Sequence, residues 1–145
     1  MTAIYVESSV VLTWLLNQPG ADSVRELLLY KEINFVTSVL TFIEAKRALR
    51  RNLSGKNPLR QVDVERLLSL VQVAKTEWGL VEITTEIQER AGGEFPIEPV
   101  RSLDAIHLAT ALALLRIHPD LRVMTFDRRI RENAEALGLT LITFK

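Results

Sequence analysis

Ala3-Ile4-Tyr5-Val6-Glu7-Ser8-Ser9 is the stretch on which the fold turns. Its first four residues are apolar without alternation, which is the pattern of a short strand buried on both faces. Such strands belong to parallel sheets covered by helices on each side. The run ends in a carboxylate, and an unpaired acid at the end of a doubly buried strand is costly. Glu7 therefore needs either a basic partner or a task.

Moving outward, strands and helices alternate. Val10 to Leu16 reads as a short helix, closed by Asn17-Gln18-Pro19-Gly20. Asp22 or Ser23 is positioned to cap a second helix through Tyr30. Asn34 to Thr37 reads as a strand, and Thr37 or Ser38 as the cap of a helix from Val39 to about Leu53. Residues 52–58 are loop. A helical region runs from about Leu59 to Glu77, continuous or in two pieces. Leu80 to Ile83 is a strand, and Thr84-Thr85 caps a helix through Ala91. Residues 92–99 are loop, and Ser102 to Arg116 is a strongly apolar helix. Leu121 to Thr125 is a strand, a helix starts near Asp127 and stops at Gly138, and Leu139 to Thr143 is a last strand. This order predicts an α/β fold, with a mainly parallel sheet between two helical layers and right-handed crossovers.

The chain has 145 residues, 48% hydrophobic and 25% charged, so residues 1–145 are expected to form one domain. Lys plus Arg and Asp plus Glu are 18 each, and the net charge is zero. No long-range field draws the whole protein to nucleic acid or membrane, so polyanion binding must come from a local patch or a bound metal. There is no cysteine, which excludes disulfides, iron–sulfur clusters, thiol nucleophiles and cysteine zinc sites. Glu7 interrupts any apolar signal core, and no apolar run approaches the roughly 18 residues of a membrane span. A cytoplasmic location, away from the membrane, is the expectation.

In a parallel α/β sheet each strand ends, and the next helix begins, at one edge, where ligands bind. Four acids fall on that edge: Glu7 after the first strand, Glu44 early in the helix after the second, Asp104 in the first turn of the apolar helix, and Asp127 two residues beyond Thr125. Each has an ordinary alternative. Asp127 is a plausible N-cap, Asp104 a first-turn acid favoured by the helix dipole, and Glu44 a solvated helix acid. Together they are harder to dismiss. Two carboxylates about 4 Å apart repel by roughly 4 kcal/mol at an effective dielectric of about 20. Divalent cations with a preference for oxygen relieve that repulsion and equip a site for phosphodiester hydrolysis. Ser8, Ser9 and Thr125 are candidates to orient a ligand beside the acids, or simple turn hydroxyls. His107, one helical step from Asp104, reads either as a ligand or as a satisfied core histidine, the commoner case.

These residues resemble PIN-domain proteins. Tyr5-Val6-Glu7-Ser8-Ser9 is similar to the family's opening strand and acidic turn, and Thr41-Phe42-Ile43-Glu44-Ala45 to its second acidic position. Leu103-Asp104-Ala105-Ile106-His107-Leu108-Ala109-Thr110-Ala111 resembles the third, and Val123-Met124-Thr125-Phe126-Asp127 the closing strand and fourth acid. Size and element order fit small VapC-type toxins of bacterial and archaeal toxin–antitoxin pairs. The resemblance implies a three-layer α/β/α PIN-like domain and a Mg²⁺- or Mn²⁺-dependent ribonuclease. Glu7, Glu44, Asp104 and Asp127 would be its catalytic and metal-holding acids. It also implies a homodimer and a small antitoxin partner. The family's first acid is normally Asp, and here it is Glu7.

Of the basic residues, 13 are Arg and 5 are Lys. Arg101 and Arg128 lie beside the acidic edge and are the candidates for RNA backbone contact. Apolar residues such as Trp14, Leu15, Leu16, Leu27 and Leu28 are either core or a patch for a partner. Two other functions stay open. One is a non-catalytic PIN-like domain that binds RNA or protein, with Glu7 marking a decayed site. The other, from the residues without the resemblance, is a Mg²⁺-dependent phosphatase or receiver-like domain, although no Lys sits at a strand end as a receiver would require.

Overall fold

The computed structural model describes residues 2–55 and 57–144. Five strands form one sheet: β1 (Thr2–Val6), β2 (Ile33–Ser38), β3 (Gly79–Val81), β4 (Arg122–Met124) and β5 (Thr140–Leu141). Seven helices connect or cover them: α1 (Ser8–Leu15), α2 (Ala21–Leu28), α3 (Val39–Arg51), α4 (Gln61–Glu77), α5 (Thr85–Ala91), α6 (Ser102–Ile117) and α7 (Arg128–Ala136). Every strand pairing is parallel, in the order β3-β2-β1-β4-β5.

That order positions the site. The chain builds outward from β1 through β2 to β3, then returns to lay β4 on the other side of β1. The strand order reverses between β1 and β4, and in folds of this kind ligands bind outside the carboxyl ends of the strands at such a point. The register is tight at this point: Val6 lies beside Met124, and the Glu7 amide donates to the Met124 carbonyl at 3.1 Å.

The alternation of β1 divides two cores. Ile4 and Val6 pack with Val10, Phe42, Leu49, Val64 and Met124 on one face. Ala3 and Tyr5 pack with Leu108, Ala111, Val123 and Ile130 on the other. All four of these β1 side chains are at most 3% exposed. Burying each contributes roughly 1.5–3 kcal/mol for a large apolar side chain. The three-layer arrangement follows from a strand with no polar face.

The caps are mostly where the residue types place them. Ser38 accepts from the Leu40 amide, Thr84 from Ile87 and Asp127 from Ile130. The starts of the first two helices differ from expectation, and the long helical region, left open as one piece or two, is one. The first helix begins at Ser8 rather than Val10, because Glu7 itself caps it through the Ser9 amide. The second is capped by Gly20, at φ +99°, with no side-chain bond, so Asp22 and Ser23 lie inside it. Residues 61–77 form one unbroken helix. The strands β3, β4 and β5 are shorter than expected, and the predicted 52–58 loop includes Lys56, which lies outside the described residues. Trp14, Leu16, Leu27 and Leu28 are partly buried against the core, and Leu15 is buried in it. Among the described residues no helix is long and apolar enough to cross a membrane.

Candidate active site

Glu7 is 3% exposed, and both of its oxygens are engaged. Oε2 accepts from the Ser8 hydroxyl at 2.7 Å and the Ser9 amide at 3.0 Å. Oε1 accepts from the Ser9 hydroxyl at 2.5 Å and the Thr125 hydroxyl at 2.6 Å. The partner that offsets its burial is thus a ring of neutral donors rather than an arginine. Ser9 and Thr125 pass the network on: Ser9 Oγ accepts from the Phe126 amide at 2.8 Å, and Thr125 Oγ1 from the Asp127 amide at 3.0 Å. One carboxylate ties the ends of β1 and β4 to the start of α1.

Asp127 spends Oδ1 on capping α7, so the N-cap reading holds for that atom. Its Oδ2 has no hydrogen bond among the described residues. Glu44, on α3, is half-buried and gives Oε1 to His107 Nε2 at 2.7 Å. Asp104 lies in the first turn of α6, and its carboxylate has no hydrogen bond among the described residues. Its carboxyl is pushed above the usual range, first by burial and then by the charges of Asp127, Glu7 and Glu44, with His107 opposing. Asp104 therefore feels the charge of the other three acids.

His107 is a buried, satisfied histidine at 1% exposure, with Tyr5 on Nδ1 and Glu44 on Nε2. Thr110, three residues on, bonds back to its own helix at the Ile106 carbonyl. Of the three polar residues between Leu103 and Leu115, namely Asp104, His107 and Thr110, only Asp104 has side-chain oxygens without a hydrogen bond among the described residues. Arg101 and Arg128 stand at the N-terminal ends of α6 and α7, both exposed. Arg128 is held by Glu132 at 2.8 Å.

Two contributors were not legible beforehand. Tyr5 carries a hydroxyl in a doubly buried strand, a signal that a polar partner must exist. Asn133 is 1% exposed on α7, and its side chain brackets Ile97, accepting from the amide at 2.9 Å and donating to the carbonyl at 3.0 Å. This pins the 92–101 loop, which leads directly into Asp104. No residue-type pattern marks a mid-helix asparagine for such a role.

The donor set is all oxygen and strongly anionic, which suits Mg²⁺ or Mn²⁺ rather than a soft metal. Among the described residues no three acidic or histidine side chains stand close enough to form a ready-made cage. Asp104, Asp127 and Glu44 each retain an oxygen with no hydrogen bond among the described residues; Glu7 would have to release a hydroxyl donor first.

A PIN-domain family model matches residues 4–144. Ribonuclease VapC46 of Mycobacterium tuberculosis (strain ATCC 25618 / H37Rv) is 32% identical over 148 residues, covering 98% of this chain and 98% of its own. Ribonuclease VapC35 of M. tuberculosis (strain CDC 1551 / Oshkosh) is 32% identical over 140 residues, covering 96% and 95%. Among solved structures, M. tuberculosis VapC20, a sarcin-ricin loop cleaving toxin, superposes with a TM-score of 0.67 at 16% identity, covering 94% of this chain and 96% of that one. VapBC2 from Rickettsia felis, bound to a fragment of promoter DNA, gives 0.65 at 13% identity, covering 99% of both. The structural likenesses speak for the fold, and the sequence matches span nearly the whole chain. The chain belongs to the PIN-domain family, and within it to the VapC group.

Proposed function

We propose that this protein is a Mg²⁺- or Mn²⁺-dependent ribonuclease, the toxin of a VapBC-like toxin–antitoxin pair, acting as one domain over residues 1–145 in the cytoplasm. The reading is supported most by Glu7, Glu44, Asp104 and Asp127 lying at or near the N-terminal ends of α1, α3, α6 and α7, where the charges of the other three act on Asp104.

Asp104, Asp127 and Glu44 are the acids that would offer carboxylate oxygens to a cation, each supplying few ligands beside water. Glu7 adds its charge and builds the floor of the site, with Ser8 and Thr125 as its supports. A bound Mg²⁺ or Mn²⁺ supplies an activated water and a counter-charge for the leaving oxygen of the phosphodiester. With a net charge of zero, the chain must draw RNA locally. Arg101 and Arg128, beside the acids, serve the backbone phosphates. Structural neighbours include complexes of VapBC and FitAB, which supports a small antitoxin as partner, and a homodimer is the expected assembly. A short reading frame upstream, encoding a DNA-binding antitoxin, would accord with this.

The test is cleavage of total cellular RNA by the purified protein with Mg²⁺ or Mn²⁺, alongside EDTA and Asp104→Asn. Cleavage abolished in both controls is the expected result. A second reading, a PIN-like binding module without catalysis, has one observation in its favour: Glu7 has no oxygen to spare. Folded protein that neither cleaves RNA nor binds metal would establish that alternative.

A further inference from the structure

We propose that His107 and Tyr5 are positioning residues that hold Glu44 in place for the site. The proposal rests on the metal-dependent reading given above. Neither residue touches solvent: both are 1% exposed. The Tyr5 hydroxyl lies 2.6 Å from His107 Nδ1, and His107 Nε2 lies 2.7 Å from Glu44 Oε1. The three side chains come from β1, α6 and α3, so the chain of bonds crosses the molecule from the sheet to the acidic edge.

Each atom's role follows from what its partner can do. A carboxylate only accepts, so the hydrogen must sit on Nε2. Nδ1 is then a bare acceptor and needs a donor in the core. The Tyr5 phenol provides it. The sheet thereby sets the tautomer of His107, and the tautomer sets the donor that Glu44 receives.

Apolar residues would fill the same volume at no desolvation cost. A fully satisfied polar chain ending on one site acid has a use they lack. It takes Oε1 of Glu44, fixes the carboxylate within the field of Asp104, and leaves Oε2 free. Ser8 extends the link: its hydroxyl stands 3.4 Å from Nε2 while donating to Glu7. Outer partners of this kind commonly change metal affinity or activity about 10–100-fold when removed.

The experiment is calorimetric titration of the full, metal-free chain with Mn²⁺, for wild type, His107→Leu, His107→Gln and Tyr5→Phe, with a thermal melt of each. The His107→Leu variant is expected to bind Mn²⁺ about tenfold more weakly and to lose kcat on RNA with KM little changed. The His107→Gln variant, whose amide can still donate to Glu44, is expected to recover most of the affinity. The Tyr5→Phe variant should fall between wild type and His107→Leu. Folded His107→Leu that binds Mn²⁺ like wild type overturns the proposal alone, as does His107→Gln no better than His107→Leu at equal melting temperature. Wild type that takes up no Mn²⁺ overturns the metal reading and this proposal together. Should the leucine variant fail to fold, long-range ¹H–¹⁵N spectra of wild-type His107 decide. A protonated Nε2 beside a bare Nδ1 is expected, and a bare Nε2 overturns the proposal.

Discussion

Thr125 Oγ1 donates to Glu7 Oε1 at 2.6 Å, joining residues 118 apart in sequence. The same oxygen accepts from the Asp127 amide. One hydroxyl thus locks the ends of β1 and β4 and sets the turn that carries the fourth acid. Thr125→Val keeps the branched shape and deletes the oxygen. It leaves Glu7 one donor short and the Asp127 amide unsatisfied, at a cost of about 1–3 kcal/mol. Thr125→Ser should cost less than about 1 kcal/mol. Urea unfolding of both would check this, and a valine variant as stable as wild type would refute it.

Asp104 trades stability for function. Its carboxyl pKa is raised in the folded state by burial and by Asp127, Glu7 and Glu44. The folded chain therefore holds that proton more tightly than the unfolded chain. Ionising it destabilises the fold progressively as pH rises from the unfolded value, near 3.9, through the raised folded one. Asp104→Asn should make the metal-free protein more stable at neutral pH. Solvent screening keeps the gain below about 1 kcal/mol, so the melting temperature should rise by about 1–3 °C. The difference should shrink as pH falls toward 4 and vanish below the unfolded value, where wild-type Asp104 is protonated in both states. Melts from pH 4 to 8 in EDTA would show it, and an asparagine variant less stable than wild type at pH 7 would sink the argument.

Asn133 clamps the loop that delivers Asp104. Replacing it with Ala removes both bonds to Ile97, at a cost of about 1–3 kcal/mol. Asn133→Asp should cost more, because a carboxylate would face the Ile97 carbonyl. Hydrogen exchange at the Ile97 amide is the direct readout. Protection unchanged in the alanine variant would mean that the loop holds itself.

Arg101 and Arg128 should differ as RNA contacts. Arg128 is already engaged by Glu132, whereas the Arg101 side chain has no hydrogen bond among the described residues. Arg101→Ala should raise KM for RNA about 3–10-fold, with Arg128→Ala weaker. Each lost phosphate contact should lower the slope of log affinity against log salt by about 0.7 for single-stranded RNA. Identical salt slopes for Arg101→Ala and wild type would remove Arg101 from the interface.

Much of this was legible in the residues. The doubly apolar Ala3 to Val6 run foretold a covered parallel strand, because burial on both faces demands it. Glu7, Asp104 and Asp127 could be placed on one edge because a parallel sheet puts strand ends and helix starts together. Ser38, Thr84 and Asp127 were readable as caps because a cap is a contact over two or three residues. The family resemblance rested on local strings of the same kind.

What tertiary structure alone decided lies in contacts that no local window contains. The return of β4 to the side of β1 made Glu7 and Thr125 partners, and that pairing depends on strand order rather than on either strand's composition. The four donors around Glu7 come from two ends of the chain. His107 could be named as a buried histidine from α6, but its partners lie 102 and 63 residues away. Periodicity and capping are set by neighbours within a helical turn, so sequence alone determined the elements and the edge they share. Which polar atoms satisfy one another in the core depends on how distant segments pack, and only the folded chain decided that.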